Sequence, residues 1–220
     1  MKRLFIAINL PMELKRKLGN LEKEINSSFP EETANAGLLK WVETENLHIT
    51  LLFIGQAGDS AALKLTEAIN NVARNYKPIE IKTKNICYGP PKSMPPRLIW
   101  LELEKNSQLK NLAQDLQKAI AKTGVLQSAD ERGFSGHITL ARIKTWLFKQ
   151  IDPDEQPNIN QDFPAQIPVN SIELMESVLK RTGPEYIVLQ SFPLTKKIAP
   201  LKYKSGTLAS ARVPDSGITK

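Results

Sequence analysis

The chain has 220 residues, 41% of them hydrophobic and 24% charged, a balance that suits one large globular domain or two small lobes and excludes a disordered or fibrous chain. A net charge of +7 points to anionic partners, nucleic acid and nucleotides foremost, although a basic solvated surface has the same composition. Cys87 is the one cysteine, which excludes a disulfide framework and a thiolate metal cluster, and no apolar run is long enough to span a bilayer.

Leu4 to Leu10 is a compact apolar run stopped by Pro11, the pattern of a buried strand. It is too short for a secretory signal, so a cytoplasmic protein is expected. Leu14, Leu18, Leu21 and Ile25 follow at helical spacing and predict one helix. A loop holding Pro30, Asn35 and Gly37 leads to a short strand over Leu38 to Val42, and a longer strand is expected from Leu47 to Gly55. Asp59 or Ser60 is the candidate cap of a second helix, with Leu63, Ala68, Ile69 and Val72 as its apolar stripe.

Ile79 to Tyr88 alternates apolar with polar and reads as a half-buried strand. A proline-dense loop, Gly89 to Pro96, separates it from a strand over Arg97 to Glu104. Leu109, Leu112, Leu116, Ala119 and Ile120 mark a third helix closed by Gly124. His137 to Ile143 is the next strand. Asp152 to Pro168 is polar and proline-rich and is expected to be a loop. Val169 to Leu179 and Tyr186 to Phe192 form the last two strands, and 204–220 lacks periodicity and reads as a loose tail beyond a single domain over 1–203. Strands come in adjacent pairs as well as across helices, which predicts an α+β fold with antiparallel sheets, each holding one of two related strands.

Those two strands share a tetrapeptide. His48-Ile49-Thr50-Leu51 recurs as His137-Ile138-Thr139-Leu140, and the chain has no other histidine. A given histidine is followed by Ile-Thr-Leu about once in a few thousand trials at ordinary frequencies, so a duplicated strand explains the repeat better than chance. In a strand, residues two apart share a face, so each copy presents an imidazole beside a hydroxyl, with isoleucine and leucine behind. By the same parity Phe53 is expected on the apolar side. If the strands face one another, two imidazoles flank one space suited to a phosphodiester. One neutral ring takes a proton from attacking water and one charged ring protonates the departing oxygen, while Thr50 and Thr139 hydrogen-bond the non-bridging oxygens. The scheme needs no metal or other cofactor, and two histidines without a cysteine or carboxylate at a telling offset make a poor zinc site.

On these motifs the sequence resembles the two-histidine (2H) phosphoesterases, and among them the bacterial and archaeal RNA 2′,3′-cyclic phosphodiesterases, also called 2′-5′ RNA ligases. Arg3 to Pro11 is similar to that family's opening strand, and Trp41-Val42 with Glu45-Asn46-Leu47-His48-Ile49-Thr50-Leu51 to its first motif. Pro96 to Leu101 is similar to the strand before its third helix. Phe134 followed by His137-Ile138-Thr139-Leu140-Ala141-Arg142 resembles its second motif, and Ser177-Val178-Leu179 with Gly183-Pro184-Glu185-Tyr186 its C-terminal hairpin.

The resemblance implies a bilobal fold, two antiparallel sheets flanking a central cleft with helices outside, and metal-independent hydrolysis of a 2′,3′-cyclic phosphate on RNA to a 2′-phosphate. By the family's pattern His48 is the proton donor to the 3′ oxygen, His137 is the base that activates water, and Arg142 adds a cation to the phosphate site. Strand parity sets Arg142 on the face opposite His137, so a bulge or a bend must bring it back. Three positions depart from the pattern: Gly136 replaces a usual proline, Asn9 a usual aspartate, and Ile6 an aromatic that some members carry. Phe5 and Phe134 are then the candidates to stack a base.

The rival class is a non-catalytic RNA- or nucleotide-binding module, which the intact histidine pair disfavours. Small cyclic nucleotides or ADP-ribose 1″,2″-cyclic phosphate are rival substrates, since loops set substrate size. No obligate protein or membrane partner is expected, and the expected state is a monomer. The absence of a complete P-loop argues against an ATP-driven ligase, leaving reversible 2′-5′ ligation as a possible companion to hydrolysis.

Overall fold

The computed structural model describes residues 1–91, 93–125, 133–181 and 183–195. The expected tail at 204–220 lies outside them. The chain begins with β1 (Lys2–Asn9), α1 (Met12–Gly19), α2 (Glu22–Asn26) and α3 (Glu31–Asn35). It continues through β2 (Leu39–Trp41), a 3₁₀ turn (Thr44–Asn46), β3 (His48–Ala57) and α4 (Asp59–Ala73). Then come β4 (Ile79–Gly89), β5 (Leu98–Leu103), α5 (Ser107–Lys122), β6 (His137–Ile143) and α6 (Thr145–Phe148). A second 3₁₀ turn (Pro153–Glu155), β7 (Asn160–Asp162), β8 (Gln166–Val169), β9 (Ser171–Lys180) and β10 (Gly183–Pro193) follow.

All the strand pairs are antiparallel, and the path runs β10-β9-β1-β3-β6-β5-β4-β7, with β2 on β6 and β8 on β4. The expectation that each histidine strand has its own sheet needs correction. The two halves, β10-β9-β1-β3 and β6-β5-β4-β7, join through one bridge, Ile49 to Ile138. Strands that pair so briefly are free to splay on either side, so the two halves keep separate identities while their histidine strands lie side by side.

One face of this sheet is packed and the other is open where the repeats lie. Leu4, Ile6 and Ile8 of β1, Ile49 and Leu51 of β3, and Ile138 and Leu140 of β6 belong to the main core. Onto it pack Leu14 and Leu18 of α1, Leu65, Ile69 and Ala73 of α4, and Leu109, Leu112, Leu116 and Ile120 of α5. The amphipathic helices thus hold the back of both histidine strands.

Several expected elements differ. The single first helix is split into α1 and α2 at Asn20 and Leu21, where Gly19 and Asn20, both weak helix formers, end the first segment. The α4 stripe runs through Leu65, Ile69 and Ala73, not Leu63, which is 77% exposed. That helix starts at Asp59, with Gly58 at the cap position. Gly124, in the left-handed region at φ +73°, does close α5. The expected loop over Asp152–Pro168 contains two short edge strands on β4; Pro168 pairs with Glu80 at a sheet margin, where a missing N–H is tolerated.

Candidate active site

Two bulges shape the open face. In β3, Ala7 pairs with Thr50 but Ile6 pairs with Leu52, so Leu51 is an extra residue. In β6, Trp100 pairs with Thr139 but Ile99 pairs with Ala141, so Leu140 is extra. Each bulge falls at the leucine of the repeated tetrapeptide and reverses parity beyond it. Arg142 is thereby returned to the face of His137 and Thr139. Phe53, expected in the core, comes out on the face of His48 and Thr50 and is 66% exposed. The repeat therefore extends to a third outward position, phenylalanine in one copy and arginine in the other.

The Ile49–Ile138 bridge sets the two copies against one another. In an antiparallel pair, directly opposed residues share a face. Both isoleucines are fully buried. One step to either side, His48 lies across from Thr139 and Thr50 across from His137. All four side chains emerge on the open face.

Each histidine is oriented by the backbone two residues upstream. The Asn46 carbonyl lies 2.7 Å from His48 Nδ1, and the Ser135 carbonyl 2.8 Å from His137 Nδ1. A carbonyl only accepts, so both Nδ1 atoms carry hydrogen and both Nε2 atoms are left for chemistry. His48 Nε2 lies 2.9 Å from Thr50 Oγ1. When His48 is neutral the hydroxyl donates to it; when it is charged the ring donates.

The surroundings of the two rings differ. His48 touches Phe5 and Tyr186, with centroids 5.2 and 5.1 Å away. His137 lies against Trp100 at 4.3 Å, and the buried indole donates its N–H to Cys87 Sγ at 3.2 Å. Burial pushes both imidazoles below their ordinary pKa, while the Nδ1 contacts to Asn46 and Ser135 pull the other way. The charges of Lys15, His137 and Arg142 depress His48 further.

Phe5 does not keep its expected role as a base-stacking ring. It is 3% exposed and packed beneath His48 and Tyr186, leaving no free face. Both faces of β1 are buried, the even residues in the main core and Phe5 and Ala7 under the site. Phe134 is partly buried against the core and folds over Gly136, where an added Cβ would lie 3.3 Å from its ring. Ile6 is fully buried and Asn9 pairs with His48 across the ladder.

Trp100, Tyr186 and Lys15 belong to the site but were not singled out from the sequence. Lys15 is 3% exposed, and its ammonium donates to the Glu45 carbonyl at 2.6 Å. The next residue, Asn46, donates its side-chain N–H to the Pro184 carbonyl at 2.8 Å while its own carbonyl holds His48. The 3₁₀ turn is thus tied to α1 and to β10. The sequence signal was the Glu45-Asn46 pair just upstream of the first histidine; nothing marked Lys15 among many lysines. Among the described residues, no group of three or more His, Cys, Asp or Glu side chains is placed to hold a metal ion, and no helix is long and apolar enough to cross a membrane.

Solved structures share this architecture. The structure of TT0787 of Thermus thermophilus superposes with a TM-score of 0.70 at 26% identity, covering 89% of this chain and 100% of that one. The Escherichia coli LigT structure with 3′-AMP has a TM-score of 0.68 at 23% identity, covering 89% and 99%. The family model described as the 2′-5′ RNA ligase superfamily matches residues 10–181, and the chain belongs to that superfamily. It is 30% identical over 156 residues to the RNA 2′,3′-cyclic phosphodiesterase of Aquifex aeolicus, covering 70% of this chain and 81% of that protein. It is 28% identical over 191 residues to the protein of the same name from Thermotoga maritima, covering 85% and 92%.

Proposed function

We propose that the protein opens 2′,3′-cyclic phosphate ends of RNA to 2′-phosphomonoesters by paired acid and base catalysis from His48 and His137. The carrying observation is that two imidazoles, each fixed through Nδ1 by a backbone carbonyl, turn Nε2 to one face, each two residues from a threonine on its own strand and that of His48 beside the Thr50 hydroxyl. His137 Nε2 takes a proton from water as its oxygen bonds to phosphorus. The P–O3′ bond breaks, and His48 Nε2–H supplies the proton that makes the 3′-hydroxyl. Thr50, Thr139 and Arg142 bind the non-bridging oxygens, and the exposed ring of Phe53 offers a base the stacking surface that Phe5 lacks. A 5′-hydroxyl in place of water gives 2′-5′ ligation by the same proton transfers: His137 takes the proton of the attacking hydroxyl and His48 protonates O3′.

The names of the relatives support this substrate. The test is product analysis on RNA ending in a 2′,3′-cyclic phosphate, in the presence of a chelator. The expected product carries a 2′-phosphate, and His48→Ala and His137→Ala each lose about two to four decades of turnover with the fold intact. A 3′-phosphate product would overturn the assignment of the leaving oxygen. Near-normal turnover in either variant would overturn that histidine's role.

A further inference from the structure

We propose that Arg3 and Gln56, which lie beyond Phe53 on the histidine face, form a subsite for the phosphodiester that joins the terminal nucleotide of an RNA substrate to the next. This rests on the reading just given. Arg3 lies directly opposite Gln56 in the β1–β3 ladder, and directly opposed residues share a face. Arg3 is two residues from Phe5 on β1, so it leaves the sheet on the side of Phe5 and Ala7, where His48 and Thr50 also point. A further irregularity in β3 keeps Gln56 on that side. Phe5 pairs with Phe53 but Leu4 with Gly55, so Ile54 is extra, and Gly55 takes φ +90°. Ile54 and Ala57 are buried in the core, while Phe53 and Gln56 are exposed. Arg3 is exposed too, and among the described residues no carboxylate pairs with it. The nearby Lys2–Glu176 ion pair belongs to the other face, since Glu176 lies across from Leu4 of the core and Lys2 is two residues from Leu4.

The position suits a single strand leading away from the reacting end. Along β3 the outward groups run His48, Thr50, Phe53 and Gln56. The row of Ala7 and Thr50, that of Phe5 and Phe53, and that of Arg3 and Gln56 are each two β1 residues apart, about 7 Å at 3.4 Å per residue. The cyclic phosphate sits at the first row, between the histidines. The terminal base stacks at the second, where the Phe53 ring leans on Phe5 with centroids 6.3 Å apart and keeps its outer face open. A ribose carries its base and its 5′ carbon on the side remote from the 2′ and 3′ oxygens. A nucleotide whose base lies at Phe53 therefore turns its 5′ linkage away from the histidines and toward the third row. There the guanidinium fork meets the two non-bridging oxygens, and the Gln56 amide donates to the same phosphate. An aromatic platform followed by a cation holds a single strand without reading its sequence. Arg142, at the other end of the site, stays with the scissile phosphate.

The experiment measures kcat/KM for an adenosine dinucleotide ending in a 2′,3′-cyclic phosphate, with its internal linkage either a phosphodiester or a neutral methylphosphonate. Wild type is expected to prefer the phosphodiester by about tenfold, a magnitude typical of one charge-assisted contact. Arg3→Gln should cut that ratio about fivefold and lessen the salt dependence of the charged substrate, and Arg3→Lys should retain most of it. Each ratio is taken within one protein, so a general loss of activity leaves it unmoved. No preference in wild type, or an unchanged ratio in Arg3→Gln, overturns the subsite. If wild type opens neither compound, the catalytic reading fails, and the subsite is judged by binding alone. The phosphodiester dinucleotide with a 2′-phosphate end must then bind more tightly than its methylphosphonate counterpart, by a margin that Arg3→Gln removes; equal margins overturn it.

Discussion

On the proposed chemistry, His48 and His137 are expected to work below neutral pH. Burial lowers both pKa values, and Lys15 and Arg142 lower that of His48 further. Acid and base catalysis needs one ring charged and one neutral, so kcat/KM, which reports the free enzyme, should peak below the ordinary imidazole value of about 6.5. A profile that still climbs above pH 7 would count against the pairing. The apparent values belong to the pair, because the rings interact. Lys15→Met removes one of the charges depressing His48 and should move the alkaline limb upward, while Lys15→Arg leaves it in place; a role limited to packing would leave the profile unmoved in both. Stability follows the same sign. The folded values lie below the unfolded ones, so the unfolded chain binds more protons, and this contribution is whole above about 6.5 and lost as pH falls through that value toward the lowered folded ones. The histidines and threonines were legible from spacing alone. Lys15 was not, since its burial depends on α1 meeting a turn thirty residues on.

Short elements decide where these side chains point. The paired bulges at Leu51 and Leu140 use one extra residue each to bring Phe53 and Arg142 onto the histidine face. Simple alternation places both wrongly, because parity holds only while the ladder is unbroken. A second local device sits under His137. Gly89 ends β4 where the Trp100 indole crosses the backbone, and an added Cβ would fall 2.6 Å from two of its ring carbons. Gly89→Ala must therefore displace the indole that His137 rests on. The expected result is a loss of about 1–3 kcal/mol by overpacking, together with a fall in turnover larger than any change in KM, checked by urea unfolding and steady-state kinetics. Unaltered turnover would show that Trp100 does not orient His137.

At the scale of the whole molecule, two half-sheets share one packed back and meet at Ile49 and Ile138. Both side chains are fully buried, so Ile138→Ala should cost about 2–5 kcal/mol and also loosen the register that faces His48 with Thr139. Thermal unfolding and turnover measured together check this; a stability loss with full activity would mean that the halves are held in register by other contacts. The amino-acid sequence by itself determined most of the elements, the antiparallel α+β class and the four His-x-Thr side chains, because apolar spacing and the two-residue strand period are local. Only the tertiary structure decided that the two strands touch, that Phe5 is covered and Phe53 open, and that Lys40 stands opposite Arg142. Those facts depend on register between segments that can lie more than a hundred residues apart, and register is set by bulges and by packing against helices, which a single strand does not encode.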